Sequence, residues 1–456
     1  MIDSTILSRF QFAFTLAYHY LFPQFTMGLA LLIVVLKGLY LRTGQDIYNR
    51  ATFFWGRLLA ITFVMGVVTG IPMEFQFGTN WSRFSADAGD IIAQTLAMEG
   101  AFAFFLESAF LGVFLFGERL VGQKLHFVSA ILVWLGTWAS GGFIIATNAW
   151  MQHPVGYSIT PGGRLELTNY WAVLTNSWAF VEYLHTMTGA VITAAFVMAG
   201  LGALYVLSNR HVDYGRLFVT IGVIVGVIAS IIQLFPFGDA EGRQVADIQP
   251  AKLAAIEGVF KTQAGAGIVI LGQPDPAKSQ LDNAIIIPNV LSFLTYRRWT
   301  AVVRGLDTFP ANQRPDAIEM TLAYYTYHIM VGLGTIFIAI MGLAVLLLWR
   351  RRLFTTRWML WILFLAMPFP FIANTAGWFT AEIGRQPWIA FGLMRTASGS
   401  SPLLSTGTVL FTLLGFAGMY LMLGLLYILL VVGEALRGPS ASEAEGKVAT
   451  AESFLD

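Results

Sequence analysis

Apolar residues in this chain form long runs that are separated by short polar connections. A helix needs about 20 apolar residues to cross the hydrocarbon core of a bilayer. The runs therefore predict an all-α, polytopic membrane protein with about nine spans. The predicted spans are 11–40, 53–76, 92–116, 126–149, 178–207, 216–236, 321–349, 358–382 and 404–434.

The polar segments divide the chain into four parts. Spans one to six occupy 1–236, a long loop follows at 237–320, and spans seven to nine occupy 321–436. The loop contains several Gly and Pro, and AKLAAIEGVF (251–260) predicts a short helix within it. Loops of this length usually carry function. The small, polar residues of 437–456 predict a disordered tail.

Basic residues are unevenly distributed between the two sets of connections. One set carries Arg42, Arg50, Arg57, Arg119, Lys124, Arg210, Arg216, Arg350, Arg351, Arg352, Arg357, Arg437 and Lys447. The short connections of the other set carry Arg9, Arg83, Arg164, Arg385 and Arg395. Because Lys and Arg concentrate on the cytoplasmic side, we expect the N-terminus and the long loop outside and the C-terminus in the cytoplasm.

Composition agrees with this class and restricts the chemistry. Hydrophobic residues make up 56% of the chain and charged residues 12%, whereas soluble domains are about 25% charged. The net charge of +1 argues against a nucleic-acid partner. The chain has no Cys, which excludes disulfides, thiolate-bound iron–sulfur clusters and covalently attached c-type haem. A bound metal must use His, Met or carboxylate ligands.

Ionisable residues inside spans are costly and usually functional. In this chain they are His19, Glu74, Glu99, Glu107, Glu182, His185, His328 and Glu382. The remaining histidines, His126, His153 and His211, fall in loops or at span ends, where we expect them to be solvated or interfacial.

Five of the residues in the spans are potential iron ligands on five different helices: His19, Glu99, His185, Met330 and Glu382. With a rise of about 1.5 Å per residue, the predicted topology places all five in one layer of the outer half of the membrane. A His–Met pair suits a low-spin haem. A His and a carboxylate with one open position suit a high-spin haem that binds oxygen.

Each of these residues also has a simpler interpretation. His185 could pair with Glu182 and Glu382 with Arg385, and Met330 alone would be ordinary core packing. Glu107 differs from the five because it lies deeper, toward the cytoplasm. Their common predicted depth favours the haem interpretation, since unrelated packing residues would not need to coincide.

Several stretches of the chain resemble subunit I of the cytochrome bd quinol oxidases, over about residues 1–436. They are RFQFAFTLAYHYLF (9–22), MEFQFGTNW (73–81), MEGAFAFFLES (98–108), NAWMQHP (148–154), GDAEGRQVADIQPAKLAAIEG (238–258), HIMVGLG (328–334) and GWFTAEIGRQPW (377–388). The short loop is similar to the short-loop and cyanide-insensitive branches of that family. One departure is His328, where the family often has Arg, which bears on the charge near the low-spin haem.

The resemblance implies three haems, two of type b and one of type d. His185 and Met330 would bind the low-spin haem b. His19 and Glu382 would bind the high-spin haem b and haem d, in an order that stays open, with Glu99 close to them. Arg385, in GRQPW, is assigned to the same cofactor region.

The resemblance also implies where quinol and protons enter. Lys252 and Glu257 in the loop match residues of quinol oxidation, Glu107 and Ser140 match a proton route from the cytoplasm, and Trp378 matches an aromatic residue between haems. The implied partners are a related second subunit, forming a heterodimer, and a small single-span accessory subunit. The implied location is the cytoplasmic membrane of a bacterium or archaeon.

The predicted function is therefore oxidation of quinol outside and reduction of oxygen to water with cytoplasmic protons, which generates a proton-motive force without pumping. A haem–copper oxidase needs about six membrane histidines, and only His19, His185 and His328 lie well inside spans. A proton-coupled transporter remains an alternative, with Glu99 and Glu107 as a carboxylate relay. A further alternative is a non-catalytic electron carrier with haem b.

Overall fold

The computed structural model describes residues 3–439, and the helical membrane fold predicted from the sequence is confirmed there. Nine helices of this part of the chain are long and apolar enough to cross a membrane, and we number them as spans one to nine. They are Ser4–Thr43, Asp46–Thr79, Ser82–Phe116, Glu118–Gln152, Ser177–Leu207, Val212–Ile248, Ala317–Trp349, Arg357–Gly384 and Thr406–Arg437. Most of the tail predicted at 437–456 lies outside the described residues.

Four spans depart from a continuous α-helix. Span four is interrupted at Gly122 (φ 74°, ψ 167°), and span six is interrupted within Gln233–Gly238, where Phe235 is extended (φ -135°, ψ 122°), before Asp239–Ile248. Span three joins Ser82–Met98 to Phe105–Phe116 through a π-helical segment at Glu99–Phe104. Such segments are rare and occur mostly at functional sites. Span eight is divided into Arg357–Leu365 and Phe369–Gly384. The predicted limit of the loop, at 236/237, falls within the interruption of span six at Gln233–Gly238.

Span five forms the centre of the bundle. Of the residues in its most apolar stretch of 18, 78% are buried, whereas the corresponding share is 6% for span nine at the periphery. Glycines allow its close approach to span six, because a Cβ at Gly202 would lie only 2.7 Å from the backbone oxygen of Gly215. Small residues are the usual means of close helix packing in membranes, where lipid is as apolar as the side chains.

The segment 249–316 packs over one end of the spans, which we call the loop side. It contains the helices Pro250–Ile256 and Val290–Tyr296 and two antiparallel strand pairs, Ile268–Asp275 with Gln280–Ile287 and Gln263–Ala264 with Val302–Val303. Two 3₁₀ turns follow at Leu306–Thr308 and Ala311–Gln313. The short helix predicted within 251–260 is confirmed. It begins at Pro250, whose ring suits the first turn of a helix.

Three connections between spans carry the remaining elements. Strands Tyr157–Ile159 and Leu165–Leu167 pair between spans four and five, where the helix Tyr170–Leu174 follows. A 3₁₀ turn, Leu353–Thr355, joins spans seven and eight. Strands Trp388–Ala390 and Met394–Arg395 pair after span eight, before the one-turn helix Thr396–Gly399.

A hydrophobic cluster joins the loop to the spans. Leu253 and Ile256 of the short loop helix are buried together with Trp178 of span five and Met320 of span seven. Burial of apolar side chains contributes about 25 cal/mol per Å², so this contact holds the loop against the bundle. Chemical groups of the loop are thereby brought next to the ends of spans five and seven.

His126 was expected to be solvated or interfacial, but it is not solvated. His126 is fully buried in span four, and its Nε2 lies 2.6 Å from the backbone oxygen of Phe114. The imidazole ring also stacks on the Phe114 ring, with centroids 5.1 Å apart. A hydrogen bond to a carbonyl of the preceding span accounts for the burial of this polar ring.

Candidate functional site

Two carboxylates of span three contact successive turns of span four. Glu107 is buried against Gly136, where a Cβ would lie only 3.0 Å from the Cα of Glu107. Ser140 Oγ donates a hydrogen bond of 2.6 Å to Glu99 Oε1. Gly136 and Ser140 are four residues apart, which is about 6 Å along a helix.

Glu382 of span eight contacts span four closer to the loop side. Asn148 Nδ2 donates to Glu382 Oε1 at 2.7 Å, and the guanidinium of Arg385 pairs with Oε2. Asn148 lies eight residues beyond Ser140, about 12 Å along the helix. Span four thus meets Glu107, Glu99 and Glu382 in that order. The alternative pairing of Glu382 with Arg385 is present and fixes the orientation of the carboxylate.

Lys252 of the loop is connected to Glu382 through Gln152 of span four. The Lys252 ammonium lies 3.4 Å from Gln152 Oε1, and Gln152 Nε2 lies 3.4 Å from Glu382 Oε1. Gln249 Nε2 also donates to the backbone oxygen of Gln152, at 2.7 Å. Burial lowers the pKa of Lys252 to about 8, partly offset by nearby carboxylates such as Glu241. The loop therefore places a titratable cation beside a carboxylate of the spans.

Glu257, at the end of the same loop helix, is only 2% exposed. The hydroxyl of Tyr327 in span seven donates a hydrogen bond of 2.6 Å to its Oε1. Its Oε2 is buried and has no hydrogen-bond partner among residues 3–439. Burial raises the pKa of Glu257 to about 7, despite the opposing effect of the Tyr327 hydrogen bond. A carboxylate with such a pKa can accept a proton near neutral pH.

His19 of span one is oriented by Thr69 of span two. Its Nδ1 lies 3.1 Å from Thr69 Oγ1, whose own hydrogen is donated to the backbone oxygen of Met65 at 2.7 Å. Nδ1 is therefore the donor, and the lone pair of Nε2 is left for a metal, as in many metal-binding histidines. A Cβ at Gly70 would lie 3.0 Å from His19 Cε1, so glycine there leaves room for the ring.

His185 of span five does not pair with Glu182, since both carboxylate oxygens of Glu182 lack a partner in the described part of the chain. His185 Nδ1 is also buried without a partner, and Nε2 lies 3.0 Å from the amide nitrogen of Gln233. Met330 of span seven packs on Gly377 of span eight, where a Cβ would lie 2.9 Å from its Sδ. His185 thus faces span six, and Met330 faces span eight.

Trp378 follows Gly377 in span eight and reaches span one. Its ring meets that of Tyr20 edge-on, with centroids 5.6 Å apart. Tyr20 is the neighbour of His19, so Trp378 links the span that carries Glu382 to the span that carries His19. An aromatic bridge between two spans with proposed ligands is present at this position.

These residues fit haem. Imidazole, thioether and carboxylate groups are known axial ligands or neighbours of haem iron. Buried polar atoms are almost always hydrogen-bonded, yet Arg385 Nη1 lacks a partner in the described structure. A haem propionate would supply a partner of the right kind. The separate positions of His19, His185, Met330 and Glu382 on four spans suit axial ligation, since a porphyrin provides the other iron donors.

The sequence analysis missed five polar residues that hold these groups: Asn148, Gln152, Gln249, Thr69 and Tyr327. The first two lie four residues apart in span four, a spacing that indicates one helix face and could have been recognised. Gln249 stands in the same conspicuous motif as Lys252. Thr69 and Tyr327 could not be recognised as site residues from the sequence, since single Thr and Tyr residues are common in spans.

Known proteins match this chain over nearly its whole length. Residues 7–439 match the family model of cytochrome bd terminal oxidase subunit I. A cytochrome bd ubiquinol oxidase subunit 1 from Bacillus subtilis (strain 168) is 36% identical over 444 residues, which cover 96% of this chain and 94% of the relative. A cytochrome bd-II ubiquinol oxidase subunit 1 from Escherichia coli (strain K12) is 33% identical over 509 residues, which cover 98% of this chain and 99% of the relative.

The fold agrees with a solved member of the same group. The bd oxidase from Geobacillus thermodenitrificans superposes with a TM-score of 0.90 at 30% identity, covering 96% of this chain and 99% of that one. A putative cytochrome bd menaquinol oxidase subunit I from Bacillus subtilis (strain 168) is also similar, at 29% identity over 94% of this chain and 96% of the relative. Cytochrome bd oxidases contain haem and work with a second subunit. The chain therefore belongs to the cytochrome bd terminal oxidase subunit I family, as a membrane-spanning subunit of an oxygen-reducing quinol oxidase.

Proposed function

We propose that this subunit takes protons and electrons from quinol at the 237–320 loop and delivers protons from the opposite side of the membrane to the site of oxygen reduction. One observation carries this proposal. The buried loop residue Lys252 is connected through Gln152 to Glu382, so the loop and the bundle form one polar site. Consumption of protons on one side and release on the other would generate a proton-motive force without pumping.

The proposed orientation places the loop and the N-terminus outside and the C-terminus in the cytoplasm. The support is the excess of basic residues at the end opposite the loop, including Arg350, Arg351 and Arg352 directly after span seven. We assign the chain to the cytoplasmic membrane of a bacterium or archaeon as a multi-pass protein.

At the proposed quinol site, Glu257 accepts a proton and Lys252 binds the substrate. Oxidation of a quinol releases two protons as well as two electrons. Glu257 Oε2, which has no other partner in the described structure, accepts a proton from a quinol hydroxyl. The Lys252 ammonium binds a quinol oxygen. It is buried, and no carboxylate of the described residues forms a direct ion pair with it. The substrate class is a membrane quinol.

The proposed cofactors are two haems b, one low-spin and one high-spin, and one haem d. His185 and Met330 would hold the low-spin haem b, and His19 and Glu382 the other two, with Glu99 close by. Arg385 would bind a propionate through its free Nη1. When bound, haem supplies the one-electron transfer and oxygen chemistry that side chains lack.

The proposed proton route runs along span four. Glu107 receives a proton from the cytoplasmic side and passes it toward Ser140 and Glu99, one helical turn closer to the loop side. A buried carboxylate can hold a proton and release it because burial disfavours its charged form. The hydroxyl of Ser140 can donate to one group while it accepts from another, which suits a relay.

The proposed partners are the second oxidase subunit and a small single-span accessory subunit, in addition to quinol, oxygen and membrane lipid. Span nine shows the broadest unburied apolar surface of the described spans, with only 6% of its most apolar window buried. Lipid covers such a surface without any protein partner.

Reconstitution of the purified two-subunit complex in vesicles tests the proposal. Addition of a soluble quinol should start oxygen consumption, with acid released on the loop side and alkalinisation on the opposite side. A proton-coupled transporter would show no Soret absorption and no oxygen consumption. A non-catalytic haem-b carrier would show the absorption but leave oxygen untouched.

The Glu257→Ala variant should lose at least about tenfold in quinol-driven turnover, because it removes the proposed proton acceptor. Electrons from an artificial donor that bypasses the loop should still reduce oxygen at the normal rate. The matched control is Glu166→Ala, which removes an exposed carboxylate on a strand between spans four and five. Equal losses with both donors would contradict a quinol-specific role of Glu257.

Quinol oxidation should decline in acid with an apparent pKa near 7. Glu257 can accept a proton only when ionised, and burial raises its pKa to about 7. Below this pH, kcat/KM for quinol should therefore fall by about tenfold per pH unit. The measurement is the pH profile of kcat/KM with saturating oxygen. A profile that stays flat down to about pH 5 would show that ionisation of Glu257 does not limit the reaction.

A further inference from the structure

Two neighbouring residues of span seven, Tyr327 and His328, contact two separate parts of the loop. The Tyr327 hydroxyl donates to Glu257 Oε1 at 2.6 Å, at the end of the short loop helix. The neighbouring His328 has its Nε2 3.2 Å from the backbone oxygen of Val269, in the strand Ile268–Asp275. The position of the Glu257 carboxylate is therefore set by span seven rather than by the loop alone.

Tyr327 is the only described side chain that donates a hydrogen bond to Glu257, and no ion pair reaches this carboxylate within residues 3–439. The titratable groups that face it are Tyr327 and Tyr324, both from span seven. On its own segment, Lys252 lies five residues earlier. The hydroxyl of Tyr327 is thus the one hydrogen-bond donor among the described side chains that stabilises the buried negative charge of Glu257.

We propose that Tyr327 is a positioning residue for quinol oxidation: its hydroxyl holds Glu257 through Oε1 so that Oε2 stays ionised and free for the quinol hydroxyl. This inference rests on the proposed function of Glu257. In the step concerned, the quinol O–H bond breaks and an Oε2–H bond forms. The quinol electrons leave to the acceptor that the oxidase activity supplies. Tyr327 keeps its own proton throughout.

The physical basis is the difference between the two charge states of Glu257. Burial raises the pKa of this carboxyl to about 7, and the Tyr327 hydrogen bond opposes that rise. A hydrogen bond to a charged group is roughly twice as strong as one between neutral groups. Loss of the phenol hydroxyl should therefore leave Glu257 protonated to a higher pH, and a protonated Glu257 cannot accept the quinol proton.

The first test is Tyr327→Phe in the two-subunit complex. The acid limb of the kcat/KM profile for quinol should move up by about one pH unit, since the hydroxyl then no longer stabilises the carboxylate. At high pH, where Glu257 is ionised in both proteins, kcat should be close to normal. Tyr325→Phe is the matched control, because Tyr325 lies on the same helix and is 42% exposed. It should leave the profile unchanged.

A second measurement does not depend on turnover. Infrared difference spectra recorded across pH should show a carboxyl band that is missing in Glu257→Gln. This band should titrate about one unit higher in Tyr327→Phe than in the unmodified complex. An unchanged band and profile, or a lower melting temperature without either shift, would overturn the positioning role. If the unmodified complex fails to oxidise quinol, the proposed function fails, and the band still decides whether Tyr327 controls the ionisation of Glu257.

Discussion

Glu107→Gln is expected to slow quinol-driven oxygen consumption by at least about 100-fold while all haems stay bound. Glutamine has nearly the same shape as glutamate, so the packing of this buried side chain against Gly136 is preserved. It cannot carry and release a proton, so the proposed route toward Ser140 and Glu99 is interrupted. The measurements are oxygen uptake with quinol and the absorption spectrum of the reduced complex.

The matched control for Glu107 is Glu166→Gln, the same change at an exposed position outside the spans. It should leave both turnover and spectrum unchanged. If Glu107→Gln instead loses haem, the carboxylate supports the fold rather than proton transfer. Normal turnover in this variant would remove Glu107 from the route.

Met330→Leu is expected to abolish the low-spin haem spectrum and to reduce quinol-driven turnover by more than about tenfold. Leucine fills a similar volume, and such exchanges usually cost less than about 1.5 kcal/mol, so the fold should survive. The thioether sulfur is lost, however, and with it the proposed iron ligand opposite His185. Optical and electron paramagnetic resonance spectra should show one haem changed and the other two intact.

Met320→Leu provides the control for this change. Met320 is a buried methionine of span seven, ten residues before Met330, and packs in the cluster that joins the loop to the spans. Its replacement should leave every haem band in place. Identical spectra for Met330→Leu and the unmodified complex would exclude Met330 as a ligand.

The spans were predictable because a membrane imposes a strong rule on sequence. Each helix must be apolar over about 20 residues, and the nine runs stand out from the polar connections. Glu99, Glu107, His19 and His185 could also be identified from the sequence, since ionisable groups are rare inside spans. The motifs around them indicated the family, which the comparisons then confirmed.

The partners of these residues were not predictable in the same way. Ser140–Glu99, Thr69–His19 and Tyr327–Glu257 join residues far apart in the chain. Such contacts depend on helix rotation and packing, which hydropathy does not specify. His126 shows the same limit: its position near a span end suggested water, but the Phe114 carbonyl provides a partner inside the bundle.

Local geometry was also beyond the sequence pattern. The π-helical segment Glu99–Phe104 begins at one of the two carboxylates in the otherwise apolar part of span three, residues 92–116. Apolar periodicity cannot distinguish such a segment from an ordinary α-helical turn, because the change involves only a few residues. The Glu99 carboxylate was therefore recognisable from the sequence, but the π-helical form of the segment around it was not.

The most direct test of the account is the haem content of the purified two-subunit complex, measured by pyridine haemochrome analysis together with quinol-driven oxygen consumption. We expect two haems b and one haem d for each copy of this chain, and oxygen consumption that starts when quinol is added. A complex that folds with its second subunit but binds no haem, or that binds haem and does not consume oxygen with quinol, would contradict the account.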